Sequence, residues 1–434
     1  MFVQRCINCE NEFGLDERLY VCSRCGDLLD IERSASALAS VEELRALWLE
    51  RRKSGDVRDR SGVWRFREFL PFAPDVEIVS LGEGNTPLYD APRSADYCGL
   101  RALKLKHQGN NPTGSFKDTG MTVAVTQALK LGMRLVACAS TGNTAASLAA
   151  YAARARMRCA ILVPEGQVSD AKLAQALDYG AKVLEIEGNF DVCMRVIQEL
   201  AEQSSLYLVN SINPFRIEGQ KTVAFELAEQ LEWNVPDHLV VPGGNLGNSS
   251  ALGKGFRELF SHGFTRKQPR ISVIQAEGAA PFARFASTVG DAEFVNEKHP
   301  HTLASAIKIG APVSWKKAWR AVRETGGHVI TVSEQEIADA KATIGRDGVG
   351  CEPASATTVA GIRKLVTAGV IGKDESVVAV LTGHVLKDTD YVIRYHNQTL
   401  VTENEERIRG TFANSITRVA ARPCAIESAL KEIS

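Results

Sequence analysis

The sequence predicts an α/β protein of two parallel-sheet lobes preceded by a small N-terminal zinc-ribbon-like segment. Three observations lead there: short apolar runs alternate with helical stretches from about Leu100 onward, the alternation comes in two series, and four cysteines near the start form two C-x2-C pairs. With 434 residues, 44% apolar and 24% charged, the chain has an ordinary globular composition and is too long for one small core.

The cysteine pairs come first. Cys6 and Cys9, then Cys22 and Cys25, are separated by twelve residues, the spacing of two knuckles that present four thiolates to one Zn²⁺. Gly26 suits the turn after the second pair. The segment either holds a structural zinc or folds as a ribbon without metal; closed by four thiolates, it has no open position for catalysis. The other six cysteines, Cys98, Cys138, Cys159, Cys193, Cys351 and Cys424, are scattered singly and are expected to be reduced, buried, small apolar residues.

Residues 31–67 are rich in charge, with Leu44, Leu47 and Trp48 at helical spacing and the run Glu50-Arg51-Arg52-Lys53-Ser54-Gly55 ending the helix. They read as a connecting arm whose charges form a solvated face.

The first series of strands falls at Leu135–Cys138, Cys159–Val163, Val183–Ile186 and Tyr207–Val209, separated by helical stretches Thr144–Arg156, Ser169–Tyr179 and Phe190–Gln203. The second falls at His238–Val241, Ile271–Gln275, His328–Val332 and Val377–Leu381. Such spacing predicts parallel sheets covered by helices on both faces, with a cleft at the carboxyl ends of the strands. The domains expected are a ribbon-like segment (1–30), an arm with part of the large domain (31–111), a small α/β domain (112–205) and the large α/β domain (206–434).

Four segments carry chemistry. Asn111-Pro112-Thr113-Gly114-Ser115-Phe116 is a turn that delivers Lys117 to the first turn of a helix, where the helix dipole and burial both favour the neutral amine that a Schiff base requires. A surface lysine beside a turn would look the same. Gly243-Gly244-Asn245-Leu246-Gly247-Asn248 follows a strand and precedes a helix, so backbone N–H groups and the helix start can converge on one monophosphate. Its spacing fits neither a dinucleotide nor a nucleoside-triphosphate loop; an ordinary glycine-rich turn is the plainer alternative. Ser140-Thr141-Gly142-Asn143-Thr144 offers neutral hydrogen bonds for a carboxylate or ring hydroxyl, or merely caps its helix. Thr382-Gly383-His384 ends a strand with a hydroxyl able to meet a pyridine nitrogen; His384 is given no role.

The balance of 51 basic against 52 acidic residues, a formal net charge of −1, gives no electrostatic case for nucleic acid or an anionic membrane as partner. No stretch approaches the roughly 18 apolar residues of a membrane span, and no basic segment leads into an apolar run. A cytoplasmic protein with a small-molecule substrate is expected.

Seven segments in order, Leu81–Leu88, Asn111–Asp118, Ser140–Thr144, Asn210–Thr222, Gly243–Asn248, Cys351–Ser355 and Thr382–Asp388, resemble the fold-type II pyridoxal-phosphate enzymes, and within them the threonine synthase family. The resemblance spans about Leu81 to Tyr395. It implies a tryptophan-synthase-β-like fold, pyridoxal 5′-phosphate as cofactor, a homodimer and a place in threonine biosynthesis. It implies Lys117 as the Schiff-base lysine, Asn143 on the ring's 3′-oxygen, Gly243, Gly244, Asn245, Leu246, Gly247 and Asn248 around the cofactor phosphate, and Thr382 at the pyridine nitrogen. Ser211 and Arg216 then match positions that bind the substrate's phosphate, and Thr141 and Thr144 would hold its carboxylate or position water. The implied reaction is a β,γ-replacement converting O-phospho-L-homoserine and water to L-threonine and phosphate. Two positions depart from the commoner pattern: Thr119 replaces an arginine, and Val385 a glycine that could take positive φ.

A threonine or serine dehydratase, or a cysteate synthase, would share Lys117 and the glycine loop, although a dehydratase has no use for Arg216 in its setting. A non-enzymatic zinc-ribbon interaction protein is disfavoured by the neutral charge and the intact lysine.

Overall fold

The structure, a computed structural model, describes residues 2–33, 38–166, 170–188, 190–203, 205–288, 292–414 and 416–431. At its start, β1 (Phe2–Cys6), β2 (Glu12–Phe13) and β3 (Leu29–Arg33) pair antiparallel in the order β2-β1-β3. Gly26, at φ +74°, supplies the left-handed residue that the second cysteine turn needs.

The chain next lays down β4 (Leu88–Asp90) and β5 (Lys104–His107). It then leaves to build the smaller lobe from β6 (Leu135–Ala139), β7 (Arg158–Pro164), β8 (Lys182–Ile186) and β9 (Leu206–Leu208), all parallel in the order β8-β7-β6-β9. Finally β10 (His238–Pro242), β11 (Arg270–Ala276), β12 (Val329–Val332) and β13 (Val377–Leu381) return to β4 and β5 and complete a six-stranded sheet, ordered β12-β11-β10-β13-β5-β4. Only the edge strand β4 runs antiparallel. Every residue of β10 and β13 is buried, as expected for strands covered on both faces. The two-lobed α/β architecture matches the sequence expectation, and the first half's expected helices appear at Asn143–Arg154, Asp170–Asp178 and Phe190–Gln203. Ser169, the expected start of the second, lies outside the described residues.

Three expectations change. The limit at 30 falls inside β3, which pairs with β1 as far as Arg33, and the limit at 205 falls just before β9, which pairs with β6 of the smaller lobe's sheet. The arm is not a solvated connector either; of it, 34–37 lie outside the described residues. Its helix Val41–Arg51 starts in a capping box of Ser40 and Glu43 and buries Trp48 completely among Phe66, Phe69, Phe225 and Phe264. Arg51 pairs with Glu68, and Arg65, fully buried, meets Glu229 at 2.8 Å. Arginine stems cover apolar surface while their heads find carboxylates, which a charge count alone does not reveal. Third, Cys424 is exposed, whereas the other five scattered cysteines are buried; all ten are free thiols.

Candidate active site

The loop that leaves β5 is stitched to the end of β13. Ser115 and Gly383 form an isolated bridge, Phe116 N–H donates to the Thr382 carbonyl at 2.9 Å, and His384 N–H donates to the Gly114 carbonyl at 2.9 Å. Gly114 sits at φ +84°, open to glycine at little cost. The stitching fixes Lys117 as the first residue of helix Lys117–Lys130. Below it, buried Asp118 accepts from Thr113 N–H at 2.7 Å and from the hydroxyls of Thr113 and Ser147, both at 2.6 Å. Burial holds this carboxyl at about 6 against those bonds.

Burial first, then the neighbouring Arg216 guanidinium, push the Lys117 ammonium down to about 7, with Glu352 opposing. Its Nζ lies 4.2 Å from the centroid of the Phe116 ring. The amine is therefore substantially neutral near neutrality.

Lys117 opens into a cleft between the lobes at the carboxyl ends of β6, β9, β10 and β13. On the smaller lobe it meets Ser140, Thr141, Asn143 and Thr144. Helix Asn143–Arg154 has Gly142 at its N-cap and no side-chain cap, so the plain capping reading of this segment does not hold. Asn143 Nδ2 donates to a Glu352 carboxylate oxygen at 2.9 Å.

On the larger lobe, Gly244, Asn245, Leu246, Gly247 and Asn248 line the cleft at the start of helix Gly247–Ser261. Leu246 adopts φ +64° and ψ +7°, uncommon for a branched side chain, and turns the chain into that helix. Gly243 is not brought to the cleft. It continues the sheet, its N–H bonded to the Ile274 carbonyl at 2.7 Å, and a Cβ there would stand 2.7 Å from Val273.

Ser211 and Arg216 follow β9. Asn245 Nδ2 donates to Ser211 Oγ at 2.7 Å while its Oδ1 accepts from Val313 N–H at 2.7 Å, linking the two lobes' walls. Arg216, on helix Pro214–Gln230, is 2% exposed; its Nη1 donates to the Val209 carbonyl at 3.3 Å and its Nε has no partner. Burial lowers the guanidinium to about 10.

Thr382, at the end of β13, has its Oγ1 3.0 Å from Ser355 Oγ and 3.1 Å from Glu352 Oε1. Glu352 and Ser355 received no role from the sequence, although their segment was singled out. A carboxylate preceding Pro353 at a helix start was the available signal; its burial was not visible. Val385 has no positive φ: it begins a short 3₁₀ turn, Val385–Lys387, against Gly350, which leaves room for the branched side chain. Thr119 turns its hydroxyl onto the Phe116 carbonyl at 2.8 Å. The sulfurs of Cys6, Cys9, Cys22 and Cys25, none of which lines the cleft, lie within 4.8 Å of one another.

The cleft fits a phosphorylated pyridine aldehyde by its own unfilled valences. Arg216 Nε, both polar atoms of Asn248 and Gln220 Oε1 are buried without partners, a cost that an anionic, polar ligand would remove.

Comparison with known proteins agrees. The family model described as pyridoxal-phosphate dependent enzyme matches residues 79–383. The chain is 47% identical over 412 residues to the threonine synthase of Methanosarcina acetivorans, covering 94% of this chain and 98% of that one, and 46% identical over 404 residues to the threonine synthase of Methanocaldococcus jannaschii, covering 92% and 96%. Among solved structures, an L-serine ammonia-lyase from Rhizomucor miehei superposes with a TM-score of 0.63 at 18% identity, covering 75% of this chain and all of that one. The processed threonine deaminase isoform 2 of Solanum lycopersicum gives 0.60 at 19%, covering 83% and 88%; both likenesses bear on the fold. With 47% identity running almost end to end, the chain belongs to the threonine synthase family of pyridoxal-phosphate-dependent enzymes.

Proposed function

We propose that the chain converts O-phospho-L-homoserine and water to L-threonine and phosphate, as a pyridoxal-phosphate-dependent carbon–oxygen lyase acting on phosphates. The observation that supports this reading best is Arg216: a buried guanidinium with an unpaired Nε, in the same cleft as Lys117 and the glycine cradle. The cleft then offers two anion sites, one for the cofactor phosphate and one for the substrate's.

When bound, pyridoxal phosphate supplies an aldehyde for an amine and a ring that withdraws electrons from the substrate's Cα. Lys117 Nζ, lowered to about 7 so that the neutral amine is available near that pH, would bond the aldehyde and afterwards move protons at Cα and the adjoining carbons. Backbone N–H groups of residues 244–248 hold the cofactor phosphate at the helix start. Gly243, whose N–H is already bonded, contributes only its shape. Asn143 meets the ring's 3′-oxygen and Thr382 the ring nitrogen, both steadied by Glu352. Arg216 and Ser211 bind the phosphate that leaves from Cγ, a dianion suited to a guanidinium fork. Thr141 and Thr144 hold the substrate carboxylate or place the water whose oxygen is added at Cβ. The reading extends to a cytoplasmic homodimer with a structural zinc at the N-terminal cysteines.

The test is substrate choice. Purified protein loaded with cofactor is given O-phosphohomoserine, threonine, or O-phosphoserine with sulfite. Threonine and phosphate appearing together from the first supports the proposal; 2-oxobutanoate from threonine alone, or cysteate from the third, overturns it.

A further inference from the structure

The ribbon is the one sequence motif that this reaction leaves unused. Cys6 Sγ lies 3.4 Å from Cys25 Sγ, and Cys9 Sγ 3.6 Å from Cys22 Sγ. A disulfide requires about 2.05 Å, whereas four sulfurs placed tetrahedrally at ~2.3 Å from Zn²⁺ stand ~3.8 Å apart. Backbone amides already point at the sulfurs: Asn8 and Cys9 N–H at Cys6 Sγ, 3.4 and 3.5 Å, and Arg24 N–H at Cys22 Sγ, 3.4 Å. Such bonds stabilise thiolates, the form that ligates metal.

What the ribbon holds together is more informative than the site alone. Towards the smaller lobe, the Tyr20 hydroxyl accepts from Leu208 N–H at 2.7 Å in β9, and Gln127 Nε2 donates to the Leu15 carbonyl at 2.8 Å from the helix that Lys117 begins. Towards the larger lobe, Asp30 of β3 meets Lys254 at 2.9 Å, and Lys254 meets Glu218 at 2.5 Å. Lys317 Nζ donates to the Leu29 carbonyl at 2.6 Å. Lys254 stands two turns along the helix that starts at the glycine cradle, and Glu218 lies two residues beyond Arg216. Asp30, Lys254 and Glu218 are 7%, 5% and 0% exposed. Lys317 Nζ also lies 3.7 Å from Asp30, and Glu218 is shared with Lys221 at 2.7 Å, so removing Asp30 would leave this cluster of lysines short of a carboxylate, and the helices carrying both anion sites depend on the ribbon's position.

We propose that Cys6, Cys9, Cys22 and Cys25 bind one Zn²⁺, and that the metal-closed ribbon is a strap holding the two lobes in register beside the cleft. Metal binding replaces thiol protons, which go to solvent. The ribbon's own buried cluster is only Cys6, Cys22 and Leu29, so it then keeps its shape through the metal.

The experiment uses the full chain. Elemental analysis after purification, or after reconstitution with zinc and removal of excess, is expected to find about one zinc per chain. Cys9→Ser and Cys25→Ser, the two less buried ligands, are expected to lose it. Cobalt in place of zinc should give the charge-transfer and d–d bands of a tetrahedral thiolate complex. Hydrogen exchange then reads the strap: on chelation, amides of β9 and of helix Gly247–Ser261 should exchange at least about fivefold faster, reversed by zinc, and Asp30→Asn should speed that helix with zinc retained. No zinc in either preparation, or zinc kept by both serine variants, overturns the site. Unchanged exchange in the zinc-free protein overturns the strap. None of these readouts depends on cofactor or substrate, so they stand apart from the threonine assay.

Discussion

Thr382 Oγ1 lies 3.1 Å from the buried carboxyl of Glu352, whose other oxygen accepts from Asn143 Nδ2. The Thr382 hydroxyl has a single proton, here donated to Glu352; once that proton turns to a pyridine nitrogen, the Thr382 oxygen and the Glu352 carboxyl stay in contact only if the carboxyl donates instead. Burial raises Glu352 above its ordinary value despite bonds from Asn143 and Thr382, which favours the protonated form, the one able to donate to that oxygen. Glu352→Gln keeps one donor and one acceptor in place, and its kcat is expected to stay within about threefold; Glu352→Ala is expected to lose about 10²-fold. Steady-state kinetics on both variants decide: an equal fall in the two would rule out the donor role.

Lys117, pushed from the ordinary lysine value of 10.5 down to about 7, is an ammonium below that pH and an amine above it. Uptake of pyridoxal phosphate by cofactor-free protein should therefore accelerate from about pH 6 to about pH 8 and then level off, since only the amine attacks the aldehyde. The absorbance that grows in at roughly 410–430 nm should vanish with borohydride, and Lys117→Ala should never develop it. A rate still rising at about pH 10 would show an unperturbed lysine.

Much of this site was legible because short-range rules governed it. The helix start at Lys117, the glycine loop after β10 and the hydroxyl segment after β6 are each a strand, a turn and a helix start read from one short stretch of sequence. What escaped depends on residues far apart in the chain. Gly243 reads as part of the cradle, yet its N–H belongs to Ile274 of the next strand. Glu352 acquires meaning only where Asn143 and Thr382 converge on it from opposite lobes. The arm's charges hide Trp48, because the partners of Arg51 and Arg65 are a 3₁₀ turn and a later helix.

Arg216 exerts two separable effects. Its fork suits a phosphate, and its charge helps depress Lys117. Arg216→Lys keeps a charge but loses the planar donors, so KM for O-phosphohomoserine should rise about 30- to 100-fold with a smaller change in kcat. Arg216→Gln removes the charge, and the midpoint of the cofactor-uptake profile should also move above about 7. A KM unchanged in both would remove Arg216 from the phosphate site.

Trp48 tests whether the arm belongs to the core. Completely buried and stacked at 5.0 Å on Phe264, it donates its indole N–H to Glu68 at 3.0 Å. Trp48→Ala should cost about 3–5 kcal/mol in equilibrium unfolding, part of it the cavity left behind. A cost under about 1 kcal/mol would return the arm to the role of a solvated connector.

Gly219 sits where the helices bearing Lys117 and Arg216 cross. A Cβ there would lie 1.9 Å from the Thr119 carbonyl oxygen and 2.9 Å from Gly120 Cα, both backbone atoms with no rotamer to yield. Gly219→Ala must therefore separate two whole helices, at an expected cost of about 1–3 kcal/mol even though alanine is the better helix former. The displacement falls between Lys117 and Arg216, so Lys117 should also lose part of the repulsion that lowers it, and the uptake midpoint should rise along with the loss of stability. Denaturant unfolding and the uptake profile on the same preparation check both halves. A variant as stable as the parent would mean that the crossing is looser than the backbone geometry allows.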